Sequence, residues 1–153
     1  MRENELLRCV VRICRGLDRP EFLGHGVLVA PGIVLSARHV IEDTAGGLIP
    51  AKLLFVESRF HAFALGEVHG VKMCFPHGDH DFALLELRGE GRVSHCATYE
   101  PRNRTLETRT AATIAGYDSR GAGVELLTAT IVNRVGNYGD TLPFTLFCSG
   151  LML

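Results

Sequence analysis

Residues 24–41 constrain this chain more than any other stretch. Gly24-His25-Gly26-Val27-Leu28-Val29-Ala30 and Ile33-Val34-Leu35-Ser36-Ala37 are two apolar runs separated only by Pro31-Gly32. That dipeptide suits a tight turn, because proline presets φ and glycine accepts a positive one. The pair predicts a hairpin that carries His39 to its rim, just past the second strand. Downstream, Asp81 opens the apolar run Phe82-Ala83-Leu84-Leu85, which puts a carboxylate at the mouth of a buried strand. An acid that orients an imidazole supplies two of the three members of a nucleophilic triad.

The remainder of the chain supplies a globular β context for that pair. With 153 residues, 46% of them hydrophobic, and a mildly positive mean hydropathy, the chain can bury a sizeable core. Lys and Arg number 16 against 17 Asp and Glu, so no strong field favours nucleic acid or an anionic membrane. No apolar run is long enough for a membrane span, and the N-terminal residues do not form a signal peptide. Five cysteines without a Cys-x-x-Cys pair argue against a disulfide framework and for a reducing, cytoplasmic setting.

Taken in order, residues 8–15, 25–30, 33–37, 51–57, 63–73 and 82–87 read as strands, with Gly66 and Gly70 as bend or bulge positions and a single helical turn over 39–43. About six strands spaced by turn signals predict a small antiparallel barrel over residues 1–88. Residues 89–108 are polar, charged and broken by glycine and proline, as expected of a linker. Residues 109–153 hold three more strand-like runs, 110–117, 124–134 and 144–148, too few to close a second barrel.

Gly24-x-Gly26 with its apolar strand, the Pro-Gly turn and Leu35-Ser36-Ala37-Arg38-His39-Val40 resemble the catalytic-histidine hairpin of the trypsin-like, chymotrypsin-fold serine proteases, most closely the microbial branch that includes the HtrA proteases. Asp81-Phe82-Ala83-Leu84-Leu85 resembles that family's catalytic-aspartate strand, 42 residues after the histidine and in the family's order. The resemblance implies an all-β fold of two antiparallel barrels, the second incomplete here. It also implies a serine endopeptidase acting on protein or peptide substrates without a cofactor, with His39 as general base and Asp81 as its orienting acid. Val40 stands where secreted animal relatives carry a cysteine, which favours a microbial, intracellular member. The internal stretch whose freed amine activates digestive relatives is also missing. An attached or associated regulatory domain is compatible with this reading, but no residue points to one.

The third triad member is not legible. The family's nucleophile lies in a Gly-x-Ser-Gly-Gly-Pro loop, and no such motif occurs in these residues. Phe144 to Leu153 resembles the approach to that loop, so the nucleophile is expected beyond residue 153. Ser149 has Cys148 before it and Leu151-Met152 after Gly150, not the small residues that close backbone approach requires. It reads as a strand-end serine, and Cys148 fits a nucleophile less well still. His77-Gly78-Asp79-His80-Asp81, with His61 and His69 upstream, matches no familiar metal-ligand spacing and reads as a solvated loop. Asp79 competes with Asp81, but only Asp81 directly precedes the buried strand. Arg38 and His25 stand where small residues, or Ser and Thr, are usual in the family. A protease fold kept only as a binding scaffold is the alternative class, and retention of both motifs argues against it.

Overall fold

A computed structural model describes residues 8–58, 68–89, 96–97, 111–117, 124–133 and 145–148, with side chains as far as residue 97. Six strands form a closed antiparallel barrel: β1 (Val10–Arg15), β2 (Glu21–Ala30), β3 (Ile33–Ser36), β4 (Leu54–Glu57), β5 (Val68–Pro76) and β6 (Ala83–Leu87), in the order β1-β2-β3-β6-β5-β4. Closure removes the unpaired edges an open sheet would expose. Three further strands, β7 (Ala111–Tyr117), β8 (Val124–Asn133) and β9 (Thr145–Cys148), form a separate sheet in sequence order. The all-β expectation therefore holds, with one closed barrel and one three-stranded sheet. No helix of the described residues is long and apolar enough to cross a membrane.

Side-chain alternation builds the barrel core. Along β6, Ala83, Leu85 and Leu87 point inward while Leu84 is exposed, and Leu54 and Val56 of β4 do the same. These meet Ile13, Leu28, Val34, Ile41 and Val71, all completely buried, in one cluster. Each large aliphatic side chain so buried contributes about 1.5–3 kcal/mol. β1 departs from alternation, for Val10 to Cys14 are buried on both faces. Its basic residue is accommodated by pairing, with Arg12 hydrogen-bonded to the carboxylate of Glu57, its cross-strand neighbour on β4. The guanidinium also stands 5.5 Å from the centroid of the Phe22 ring.

Several boundaries differ from the sequence reading for identifiable reasons. Residues 51–53 form a 3₁₀ turn rather than the start of a strand, closed by the Leu53 N–H donating to the Pro50 carbonyl at 2.9 Å. The register of β5 shifts between Val71 and Met73 rather than at Gly70, which pairs in register with Phe55. β5 also runs on to Pro76. Residues 63–67, including the Gly66 bend, lie outside the described residues, as do His61, the Gly121-Ala122-Gly123 turn, Ser149 and most of the 89–108 linker.

The chain divides into two compact units, Met1–Thr98 with Tyr117–Val124, and Tyr99–Gly116 with Glu125–Leu153. Ala97 still donates its backbone N–H to the Leu28 carbonyl at 2.7 Å. The segment beyond β6 is thereby tied back to the first barrel before the chain moves on.

Candidate functional site

The register between β3 and β6 decides which residues meet. Ser36 pairs with Ala83, and the strands run antiparallel, so the end of β3 and the start of β6 share one rim. Three residues past Ser36 stands His39, and two before Ala83 stands Asp81. At the other end of the hairpin, Gly32 takes the positive φ of +73° that the Pro31-Gly32 turn requires. The Ser36 hydroxyl, buried, donates to the His25 carbonyl at 2.9 Å and fastens the end of β3 to β2.

His39 does not lie on a strand. It occupies a 3₁₀ turn over Arg38–Ile41 that buries Val40 and Ile41, which leaves the imidazole on the outer side. That turn begins one residue and ends two residues earlier than the helical turn expected at 39–43. Two features fix it. Gly24 of β2 leaves room for Val40, because a Cβ there would stand 2.8 Å from Val40 Cγ2. Asp43 closes the following loop by accepting from the backbone N–H groups of Ala45 and Gly47 at 2.9 and 3.0 Å. The Ile49 N–H then donates to the Ile41 carbonyl at 2.8 Å.

Asp81 holds His39 at two points with one carboxylate. Oδ1 accepts from the His39 backbone N–H at 2.9 Å, and Oδ2 lies 2.6 Å from Nδ1 of the ring. Both side chains are exposed, at 69% for His39 and 57% for Asp81. A carboxylate at Nδ1 selects the tautomer that carries its proton there, leaving Nε2 as the acceptor. Hydrogen bonds from the His39 backbone N–H, then from its imidazole, lower the pKa of the Asp81 carboxyl below that of an ordinary aspartate, outweighing partial desolvation, with smaller electrostatic help from His39 and Arg38.

A lowered folded-state pKa stabilises the fold above the unfolded-state value of about 3.9, and that contribution is lost as pH falls through the folded-state value. Urea midpoints of the native protein and Asp81→Asn, compared over an acid pH series, should therefore converge as pH falls. A gap that stayed constant into strong acid would contradict this.

Beside the pair lies a groove of about 820 Å³, walled mainly by apolar side chains that include Phe22, Leu23, Val27, Leu35 and Phe82, with His25, Ser36, His39 and Asp81 as its polar members. All of these residues belong to the first compact unit. The competing carboxylate, Asp79, has its backbone N–H on His77 Nδ1 at 3.2 Å, and it is Asp81 that reaches His39.

Residues 77–81 read from sequence as a solvated loop; Gly78, Asp79 and Asp81 are exposed, and the loop is organised around one ring. His77 Nδ1 accepts from the backbone N–H groups of Asp79 and His80, each at 3.2 Å. The ring stacks on His80 at 4.8 Å between centroids and packs on Phe82 at 4.5 Å. Sequence reasoning also missed what Arg38 does. Its guanidinium reaches the carbonyls of His77 and Gly78 and pairs with Glu42, and the i,i+4 spacing of Arg38 and Glu42 was the one legible hint.

Cys9, Cys14, Cys74 and Cys96 are reduced thiols. Burial raises the pKa of the Cys74 thiol, which disfavours the nucleophilic thiolate. Cys148 ends β9, opposite Ala129.

A family model of the trypsin-like peptidase domain matches residues 24–149, a span that takes in both the His39 hairpin and the Asp81 strand. No curated protein matches the chain.

Proposed function

Because the chain belongs to the trypsin-like peptidase family, we propose that it is the His-Asp-bearing part of a serine endopeptidase, with His39 as general base and Asp81 as the acid that orients it. One observation supports this above the others. A single carboxylate grips both the main chain and the Nδ1 edge of one exposed histidine beside an apolar groove. A structural ion pair has no need to leave its imidazole mostly exposed, but a base that must meet a substrate-bound serine does.

In the proposed reaction, Nε2 of His39 takes the hydroxyl proton as the serine oxygen attacks the scissile carbonyl carbon of a protein or peptide substrate. The resulting imidazolium is stabilised by Asp81 and returns its proton to the leaving amine, which departs and leaves an acyl-enzyme. Water activated by the same histidine releases the acid product and restores the serine. We assign the serine, and the amides that would stabilise the oxyanion, to sequence following residue 153, since no Gly-x-Ser-Gly-Gly-Pro loop occurs within these residues. Residues 1–153 alone are then expected to hydrolyse no peptide.

The test is fluorophosphonate labelling of the protein encoded by the full reading frame, with the modified residue located by mass spectrometry. A serine adduct in a Gly-x-Ser-Gly sequence, lost in His39→Ala, is the expected result. A protein that carries no reactive serine, or that labels equally without His39, would instead be a protease fold serving as a binding scaffold.

A further inference from the structure

We propose that Arg38 is a positioning residue, a brace that ties the segment carrying Asp81 to the turn carrying His39. Arg38 adjoins the histidine in sequence, yet its guanidinium crosses to the other side of the pair. Its Nη1 donates to the His77 carbonyl at 3.0 Å and to the Gly78 carbonyl at 3.2 Å. Nε lies 2.9 Å from Oε1 of Glu42, the residue that caps the 3₁₀ turn presenting His39, an ion pair without hydrogen-bond geometry that keeps the base of the fork beside that turn.

The braced segment transmits the constraint because it is closed on itself. The His77 N–H donates to the Phe82 carbonyl and the Phe82 N–H to the His80 carbonyl, both at 2.9 Å. His77 Nδ1 holds the two amides between them, and the His77, His80 and Phe82 rings pack together. Gripping the carbonyls at 77 and 78 therefore fixes where residue 81 emerges. The His39–Asp81 contact is more than half exposed on both sides, so the neighbouring core does not hold it in place. A long side chain with a planar, multi-donor head suits the brace, because one guanidinium can bridge two carbonyls and a carboxylate at once.

This inference deepens the reading above and rests on it for what the positioning serves, but its test needs no turnover. The hydrogen-bonded Nδ1 proton of His39 is followed by residue-specific NMR in the full chain, with His77 and His80 assigned separately and Asp81→Asn as the reference for a lost carboxylate. Bracing and simple charge predict different outcomes. If Arg38 acted only as a nearby cation, Arg38→Met would leave that proton's signal in place. If it holds Asp81 2.6 Å from Nδ1, Arg38→Met weakens the signal towards the Asp81→Asn level.

The expected result is a loss of signal covering more than half of the gap to Asp81→Asn. Glu42→Gln, which removes the ion pair but keeps the guanidinium, should give a smaller loss and serves where Arg38→Met does not fold. Arg38→Lys, which retains the charge without the fork, should resemble Arg38→Met. An unchanged Nδ1 proton signal in Arg38→Met, or full recovery by lysine, would overturn the proposal. Absence of fluorophosphonate labelling would instead count against the peptidase reading and leave the NMR result standing.

Discussion

Asp81→Asn is expected to lower kcat/KM of the active peptidase by about 10⁴-fold, the loss that the Ser-His-Asp template shows for this change. The substitution keeps shape and replaces a carboxylate with an amide. Oδ1 can still accept from the His39 backbone N–H, as it does in the native protein, so the 3₁₀ turn keeps its place. At the ring, however, the atom 2.6 Å from Nδ1 becomes an NH₂ group that can only donate. The imidazole must then offer a lone pair at Nδ1 and move its proton to Nε2, the atom needed as base. Thermal stability at neutral pH should change by only about 0.5 kcal/mol, the usual span for an exposed side chain.

Active-site titration with the fluorophosphonate, run beside peptide hydrolysis, separates loss of active protein from loss of rate. The two substitutions should not add, because Asp81 acts through the histidine. In a His39→Ala background, Asp81→Asn should therefore lower the rate little further. A tenfold or smaller effect of Asp81→Asn alone would place the carboxylate outside the catalytic unit.

The same residues show where sequence was a sufficient guide and where it stopped. His39 and Asp81 could be paired in advance because each borders an apolar, strand-like run and the two motifs, in that order, resemble those of one family. The antiparallel register of Ser36 with Ala83 then brings them to one rim. Turn chemistry was equally plain at Pro31-Gly32, where glycine adopts positive φ.

What escaped was of another kind. Arg12 is one of several basic residues in a strand-like run, and nothing in that run shows that it is buried against Glu57, 45 residues away across the ladder. Arg38 reads as an oddity beside the histidine, and its role depends on carbonyl oxygens some 40 residues distant. Backbone acceptors carry no residue-type signature, so no pattern of side chains could have announced them. His77 is a case of the same limit, since its ring organises the Asp81 segment by accepting main-chain N–H groups.

Gly26→Ala is expected to be the most damaging single methyl group that can be added to the hairpin, at about 3 kcal/mol of stability, the upper part of the overpacking range. Gly26 is buried on β2, between Val11 of β1 and Ser36 of β3. A Cβ there would stand 2.5 Å from Val34 Cγ1, 2.9 Å from the Leu35 carbonyl oxygen and 3.3 Å from Ile13 Cδ1. The Val34 contact could be relieved by a rotamer change at some cost, but the Leu35 oxygen belongs to the strand that leads directly into His39 and cannot retreat without moving that ladder.

A loss of this size in a domain of about 100 residues lowers Tm by more than about 10 °C. Differential scanning calorimetry of Gly26→Ala against Gly32→Ala isolates the cause. Gly32 has no atom within 4 Å of a would-be Cβ but has a positive φ, so its alanine variant should lose only the 1–2 kcal/mol, roughly, of left-handed backbone strain. Adding Val34→Ala to Gly26→Ala should recover part of the loss and not all of it, because the carbonyl clash remains. If the double variant were as stable as Val34→Ala alone, crowding would lie wholly with the valine, and the close approach of β2 to β3 would not be what demands glycine at position 26.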